Sequence, residues 1–337
     1  MSSRETPGDA VWLEQVQEEI LEPALPICDP HHHLWEHANR YLLDEFLSDT
    51  GSGHNLVSTV FVECAAFYRN DGPPEMRFVG ETEFVQGVAA MAASGRYGHT
   101  RVAAGIVSRA DLSGGDAVRA VLEAHRAASP NRFRGIRHVT AQNACMPPSH
   151  TDPSSGLLAD PGFRKGFAHL AELELCFDAW LYHPQIDELT ELARAFPGVT
   201  IILDHLGGPI GVGPYAEKKR EVFAAWRKSI DRIAACPNVV AKLGGIHMPL
   251  NGFGWEEQNR PPSSYDLAEA TRDFYLHTIE RFGPDRCMFE SNFPVDKVSC
   301  SYAVLWNSFK RLAAGFSPGE KASLFHDTAA RVYRLEG

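Results

Sequence analysis

Long apolar runs are absent. No stretch approaches the roughly 18 consecutive apolar residues that cross a bilayer, so a membrane-spanning class is set aside. Excess positive charge is absent too. The 337 residues carry 32 Lys+Arg against 43 Asp+Glu, a formal net charge of −11. That sign makes nucleic acid or an anionic membrane surface a poor partner. The seven cysteines (28, 64, 145, 176, 236, 287, 300) are scattered, odd in number and form no CxxC pair. Neither a disulfide framework nor a zinc ribbon is expected, and a reducing cytoplasm is the default compartment. The opening MSSRETPGDAVWLEQVQEE is polar and acidic, unlike a secretory or transit peptide. No GxGxxG follows the first apolar run, and there is no internal repeat or low-complexity tract.

What remains is an ordinary globular balance, 44% hydrophobic and 22% charged. Short β-branched runs alternate with amphipathic helical stretches from residue 26 almost to the end. The runs are 26–33, 56–64, 101–108, 133–139, 173–182, 199–206, 238–245 and 286–292. Helical patterns lie between them, and a last helix is expected over Pro318–Leu335. Eight strands, each followed by a helix with no break in composition, predict an α/β fold: one (β/α)8 TIM-type barrel over 26–337 after an N-terminal extension, 1–25. An open doubly wound sheet accepts the same alternation but would be without its phosphate-binding turn. Two connections are long, Ala141–Ala159 after strand four and Gly244–Ser264 after strand seven. Both leave carboxyl ends of strands, where barrels build their sites.

In DPHHHLW, His31 and His33 share strand parity with Asp29 while His32 faces the other way. Two imidazoles at i and i+2 on one inward face can reach one divalent ion, whereas His32 is expected between barrel and helix. Strand six ends in LDHLGGP, which sets Asp204 and His205 before a sharp glycine turn. Asp178, Trp180 and Tyr182 share a face of strand five, with His183 at its end. Arg134 and Arg137 in FRGIRHV have opposite parity, so both point inward only if Gly135 introduces a bulge. An inward arginine suits a carboxylate or lactone carbonyl. Lys242 in AKLGG and Glu63 stand at the ends of strands seven and two. Trp255 and His247, in the strand-seven loop, are expected to cover the pocket.

With His31/His33, RGIR, LDHLGGP, AKLGG and ESNFP in this order, residues 26–335 resemble the amidohydrolase superfamily, nearest its lactonase-like branch of pyrone-dicarboxylate and sugar-lactone hydrolases. The resemblance implies a barrel with the site at strand carboxyl ends. It implies that His31 and His33 are the first-strand pair and His205 the sixth-strand histidine, all three candidate metal ligands. In relatives, strand eight ends in an Asp that serves as general base, but here the matching residue is Asn292. An amide cannot take a proton from water near neutral pH. Glu290, two residues back on the same face, is the first alternative; Asp296, Asp178 and Asp204 are further candidates in no order.

The resemblance therefore implies hydrolysis of a lactone or related cyclic ester. Glu290, Asn292, Asp204 and His205 are placed in the chemistry, and Arg134, Arg137, Asp178, Trp180, Lys242 and Trp255 on the substrate. The cofactor is a divalent ion, zinc or manganese, unless the enzyme is one of the metal-independent members of the branch. Two other readings stand beside it: non-oxidative decarboxylation of an aromatic or unsaturated acid, and a non-catalytic binding barrel. The expected partner is a small molecule, and self-association into a homo-oligomer is left open.

Overall fold

Eight runs rich in Val, Ile, Leu and Phe form one parallel sheet in the computed structural model, which describes residues 9–37, 39–146 and 154–335. The strands are β1 Pro26–His32, β2 Asn55–Val62, β3 Arg101–Ser108, β4 Phe133–Arg137, β5 Cys176–Ala179, β6 Ile201–Leu203, β7 Val239–Leu243 and β8 Cys287–Phe289. They follow one another around the sheet in chain order. Closure comes from the segment just past β8. Asn292 N–H donates to His31 O at 2.9 Å, and His33 N–H donates to Phe293 O at 2.8 Å. The result is a (β/α)8 barrel, not an open sheet.

Eight helices alternate with the strands: α1 Leu43–Thr50, α2 Val79–Ala93, α3 Val118–Ala128, α4 Pro161–Glu172, α5 Ile186–Ala195, α6 Lys219–Ile233, α7 Ser264–Phe282 and α8 Tyr302–Leu312. Their starts are written locally. Asp160 caps α4 with Pro161 in its first turn, and Ser263 and Asp266 form a capping box on α7. No described helix is long and apolar enough to cross a membrane.

Strand alternation sorts the apolar residues into two sets. Ile27, Phe61, Ile201 and Leu203 pack outward against helix residues such as Phe167 and Trp226. Cys28, Val60, Val62, Ile202, Val240 and Met288 form the inner set, which leaves room at the base of the lumen. The C-terminal segment fills that room: Ala329, Val332 and Tyr333 join the inner cluster.

Several elements differ from expectation. Strands four to eight are shorter than their runs; in six and eight the chain leaves the ladder before the polar residues, Asp204–His205 and Glu290–Asn292, that end them. The last helix is broken into α9 Pro318–Ala322 and α10 Thr328–Val332 around a π-helical turn, Ser323–Asp327. The short ribbon Trp35–Glu36/Arg40–Tyr41 and α1 were not anticipated, although Leu43, Phe46 and Leu47 stand at helical spacing in α1. Residues 9–25 pack on the barrel: Leu13 and Val16 are buried, and Glu18 accepts from Ser264 N–H at 2.7 Å. Part of the strand-four loop, 147–153, lies outside the described residues.

Helix α4 lies close against the turn after β3, and a Cβ at Gly166 would stand 2.1 Å from Leu112 O. Helix propensity alone favours alanine there by about 1 kcal/mol. The contact reverses the sign, so Gly166→Ala should lower stability by about 1–3 kcal/mol. A urea midpoint that stays put or rises would contradict this packing.

Candidate active site

Backbone turns, more than strand alternation, assemble the polar groups at the carboxyl end of the barrel. Asp204 and His205 are neighbours in sequence, yet both reach one cluster, which an extended strand forbids. The chain leaves β6 after Leu203, and His205 and Leu206 adopt left-handed φ values of 54° and 56°. Each such non-glycine residue costs about 1–2 kcal/mol. The glycines of AKLGG make room opposite. A Cβ at Gly245 (φ +62°) would stand 2.1 Å from His205 Nδ1, and one at Gly244 would stand 2.2 Å from Glu290 O. Only glycine admits the imidazole and the Glu290 backbone this closely.

Glu290 sits between two imidazoles. Its Oε1 lies 2.7 Å from His205 Nδ1, and its Oε2 lies 2.8 Å from His31 Nδ1. His31 also meets two cations, Lys242 Nζ at 3.1 Å on Nδ1 and Arg137 at 3.3 Å on Nε2. Arg137 is held by Glu63, whose Oε1 accepts from Nε at 2.8 Å. Lys242 donates to Asp178 Oδ2 at 2.5 Å and lies 3.2 Å from Asp204 Oδ1. His33 is anchored through Nδ1 to Val62 O at 2.8 Å, which leaves the lone pair on Nε2.

Four buried carboxyl groups (Glu63, Asp178, Asp204, Glu290) thus face two buried cations (Arg137, Lys242). Burial pushes Glu290 up to about 8 against the pull of Lys242. Burial likewise raises Asp204 to about 6, again opposed by Lys242. Burial works against the Lys242 charge, but Asp178, Asp204 and Glu290 outweigh it and push its pKa up. Burial lowers His205 to about 3 and takes His31 and His33 well below the usual histidine range, so all three are neutral. Both Asp204 oxygens and Glu290 Oε2 are buried without a well-formed hydrogen bond. The cluster is short of positive charge and of donors.

A divalent cation is what that deficit suits. The ligand atoms of His31, His205 and Glu290 lie within 4.8 Å of one another, and two imidazoles with one carboxylate are a donor set for zinc or manganese. Among the described residues, His33 is not part of that group, although its ring centroid lies 4.9 Å from that of His31.

The other candidates separate. Arg137 reaches the cluster, whereas Arg134 turns back to the start of its strand and donates to Asn131 O and Phe133 O. Trp180 is half-buried and meets His205 edge-to-face at 4.7 Å. Asp178 and Lys242 are fully buried and buttress His31 and Asp204 from within. Trp255 stacks on Phe253 at 5.8 Å in the strand-seven loop, outside the cluster. His32 faces outward, bonded to Thr59 at 2.9 Å and stacked on Phe46 at 4.3 Å. Asn292 turns its amide away, donating to Asp296 Oδ1 at 2.9 Å. Asp296 also accepts from His247 N–H at 3.3 Å. Tyr333, which donates to Asp178 Oδ2 at 2.7 Å, was not anticipated. It comes from the far end of the chain and belongs to no local motif.

Residues 28–335 match the amidohydrolase family model. The chain belongs to the amidohydrolase family. That membership makes it a hydrolase. This amidohydrolase is 34% identical over 340 residues to the uncharacterized protein y4mH of Sinorhizobium fredii, covering 92% of this chain and 99% of that one. It is 26% identical over 324 residues to an L-fucono-1,5-lactonase of Burkholderia ambifaria, covering 91% of this chain and 95% of the other. Among solved structures, a zinc-bound amidohydrolase of Burkholderia multivorans superposes with a TM-score of 0.69 at 24% identity, covering 92% of this chain and 99% of that one. At that identity the likeness is one of fold.

The Asn292–Asp296 pair yields a stability test. Burial pushes Asp296 up to about 8, so Asn292→Asp places a second carboxyl beside a group that already resists ionisation. Protonated, the pair shares a hydrogen bond; ionised, it repels. The folded variant binds protons more tightly than the unfolded chain, so its stability falls as pH rises. Asn292→Asp should be tolerated near pH 5 and lose about 1–3 kcal/mol relative to wild type toward pH 8. Equal loss at both pH values would contradict the contact.

Proposed function

We propose that this amidohydrolase opens a lactone, with a small sugar-derived cyclic ester as substrate. The observation that carries the reading is the meeting, at the carboxyl end of the barrel, of the His31–His205–Glu290 group, the guanidinium of Arg137 and the buried carboxyl of Asp204, which faces Lys242 without a well-formed hydrogen bond. Similarity over nine-tenths of the chain to an L-fucono-1,5-lactonase supports the substrate class. A divalent ion, with zinc the first choice, held by His31, His205 and Glu290 would polarise the ring carbonyl and make a bound water more acidic.

The protein's own groups account for the rest. Lactone opening needs a base for the attacking water, charge stabilisation at the carbonyl oxygen and a proton for the departing ring alkoxide. Glu290 has both oxygens beside imidazoles, so it serves best as a holder of the two histidines. Asp204 meets no imidazole that closely; its Oδ1 lies 3.2 Å from Lys242 Nζ and its Oδ2 has no hydrogen-bond partner among the described residues. Asp204 is our choice for the group that takes the water proton and returns it to the alkoxide. Arg137, fixed by Glu63, is pre-organised to donate to a carbonyl or carboxylate oxygen. Trp180 offers a flat apolar wall beside His205 for the sugar ring.

Turnover of L-fucono-1,5-lactone and related aldonolactones, followed by acid release, tests this directly. Asp204→Asn should lower kcat/KM by about 100-fold or more while the protein stays folded. Zinc analysis should find about one equivalent in wild type, lost in His31→Ala/His205→Ala. Failure to open any lactone, or CO2 release from aromatic acids instead, would remove the reading.

A further inference from the structure

We propose that Tyr333, carried into the barrel by the C-terminal tail, is a positioning residue for the active site, acting through Asp178 and Lys242 on His31. Tyr333 is fully buried and packs among the inner residues Val60, Ile202 and Met288. A phenylalanine would fill that space equally well, so packing does not account for the hydroxyl. A buried phenol needs a partner, and the Tyr333 hydroxyl finds Asp178 Oδ2 at 2.7 Å.

That same oxygen receives Lys242 Nζ at 2.5 Å. Among the described residues, the other Asp178 oxygen has only a long contact with Cys176 Sγ at 3.8 Å. Two donors converging on Oδ2 therefore fix the rotation of the carboxylate. Lys242 also lies 5.4 Å over the Tyr333 ring, within range of a cation–π contact. The tyrosine thus grips the ammonium from two directions, by its ring and through the shared carboxylate. From this seat Lys242 reaches His31 Nδ1 at 3.1 Å and Asp204 Oδ1 at 3.2 Å. A lysine has four rotatable side-chain bonds, so its ammonium stays against His31 only if something holds it. Tyr333 supplies that hold from outside the eight βα loops, which makes the C-terminal tail part of the site's support.

The test uses the full chain labelled with [15N]histidine. Tyr333→Phe keeps the ring and removes the hydroxyl. It should move the ring 15N signals of His31 while the His32 and His125 signals stay, with an unfolding midpoint near that of wild type. The control is Tyr41→Phe, which removes another phenol–carboxylate bond, from the buried Tyr41 to the half-buried Asp49 at 2.7 Å, and should leave His31 unmoved. Only the kinetic arm rests on the lactone reading: Tyr333→Phe should lower kcat about tenfold, the effect of losing one charge-assisted hydrogen bond, with KM within about twofold. Unmoved His31 signals in a folded Tyr333→Phe protein overturn the proposal. So does a general shift of all histidine signals with a lower midpoint, since that is what packing alone would produce. If no lactone is turned over, the histidine signals still decide the matter, and the lactone reading fails separately.

Discussion

The seam between the first and last strands is the constraint on which the site depends. β1 and β8 share no regular ladder at their carboxyl ends. They are joined by two backbone hydrogen bonds from the 292–293 segment and by one carboxylate. Asp29 accepts from Ser291 N–H at 2.9 Å, from His31 N–H at 3.3 Å and from the Tyr302 hydroxyl at 3.0 Å. Burial raises Asp29 to about 6, although every one of these bonds pulls the other way. Closing the barrel and bringing His31 against Glu290 are therefore one event. Loss of the carboxylate would strand several buried donors, each at about 1–3 kcal/mol. The DPHHH motif thus has two duties on one strand: Asp29 closes the barrel and His31 enters the site.

The seam also shows where the amide of Asn292 and the nearby carboxylate go. Asn292 has a left-handed φ of 55°, and its side chain is spent on Asp296. The carboxylate at the cluster is Glu290, two residues earlier. It is longer than aspartate and reaches both imidazoles from deeper in the barrel. Gly244 makes this feasible, because any side chain there would collide with the Glu290 backbone. The reach of Glu290 and the glycine opposite it therefore belong together.

Much of this was legible in the sequence, and the failures have physical causes. The strand–helix alternation announces a barrel because each run is bounded by turn chemistry and followed by a 3.6-residue period. Parity puts His32 on the helix side, bonded to Thr59 and stacked on Phe46, while His31 turns into the cluster, even though the β1 ladder is irregular between Asp29 and His32 and the strand ends at His32. Opposite parity likewise divides Arg137, at the cluster, from Arg134, at the base of the strand. Parity is no guide once a strand has ended. Asp204 and His205 meet through a left-handed turn, and Asn292 leaves the face of Glu290 by another. The broken last helix and Tyr333 were illegible for a different reason. Their meaning comes from contacts made 155 residues away in the chain, and no local pattern encodes those.

The polar column inside the barrel bears on why such an arrangement persists. Asp178, Lys242 and Tyr333 occupy space that apolar side chains could fill, and replacing a buried ion pair with hydrophobic groups often leaves a protein as stable or more so. The column is therefore hard to explain as a device for stability. It does connect the packed lower lumen to the polar upper end, where Lys242 offsets part of the charge of Asp204 and Glu290. Without that ammonium, the two acids and Asp178 would stand in a dry enclosure with Arg137 as the remaining buried cation of the cluster. Burial would then drive more of them to hold protons, and an uncharged cluster has little to offer a cation or an attacking water. The lysine keeps the acids usable, and the residues that hold it belong to the chemistry as much as to the core.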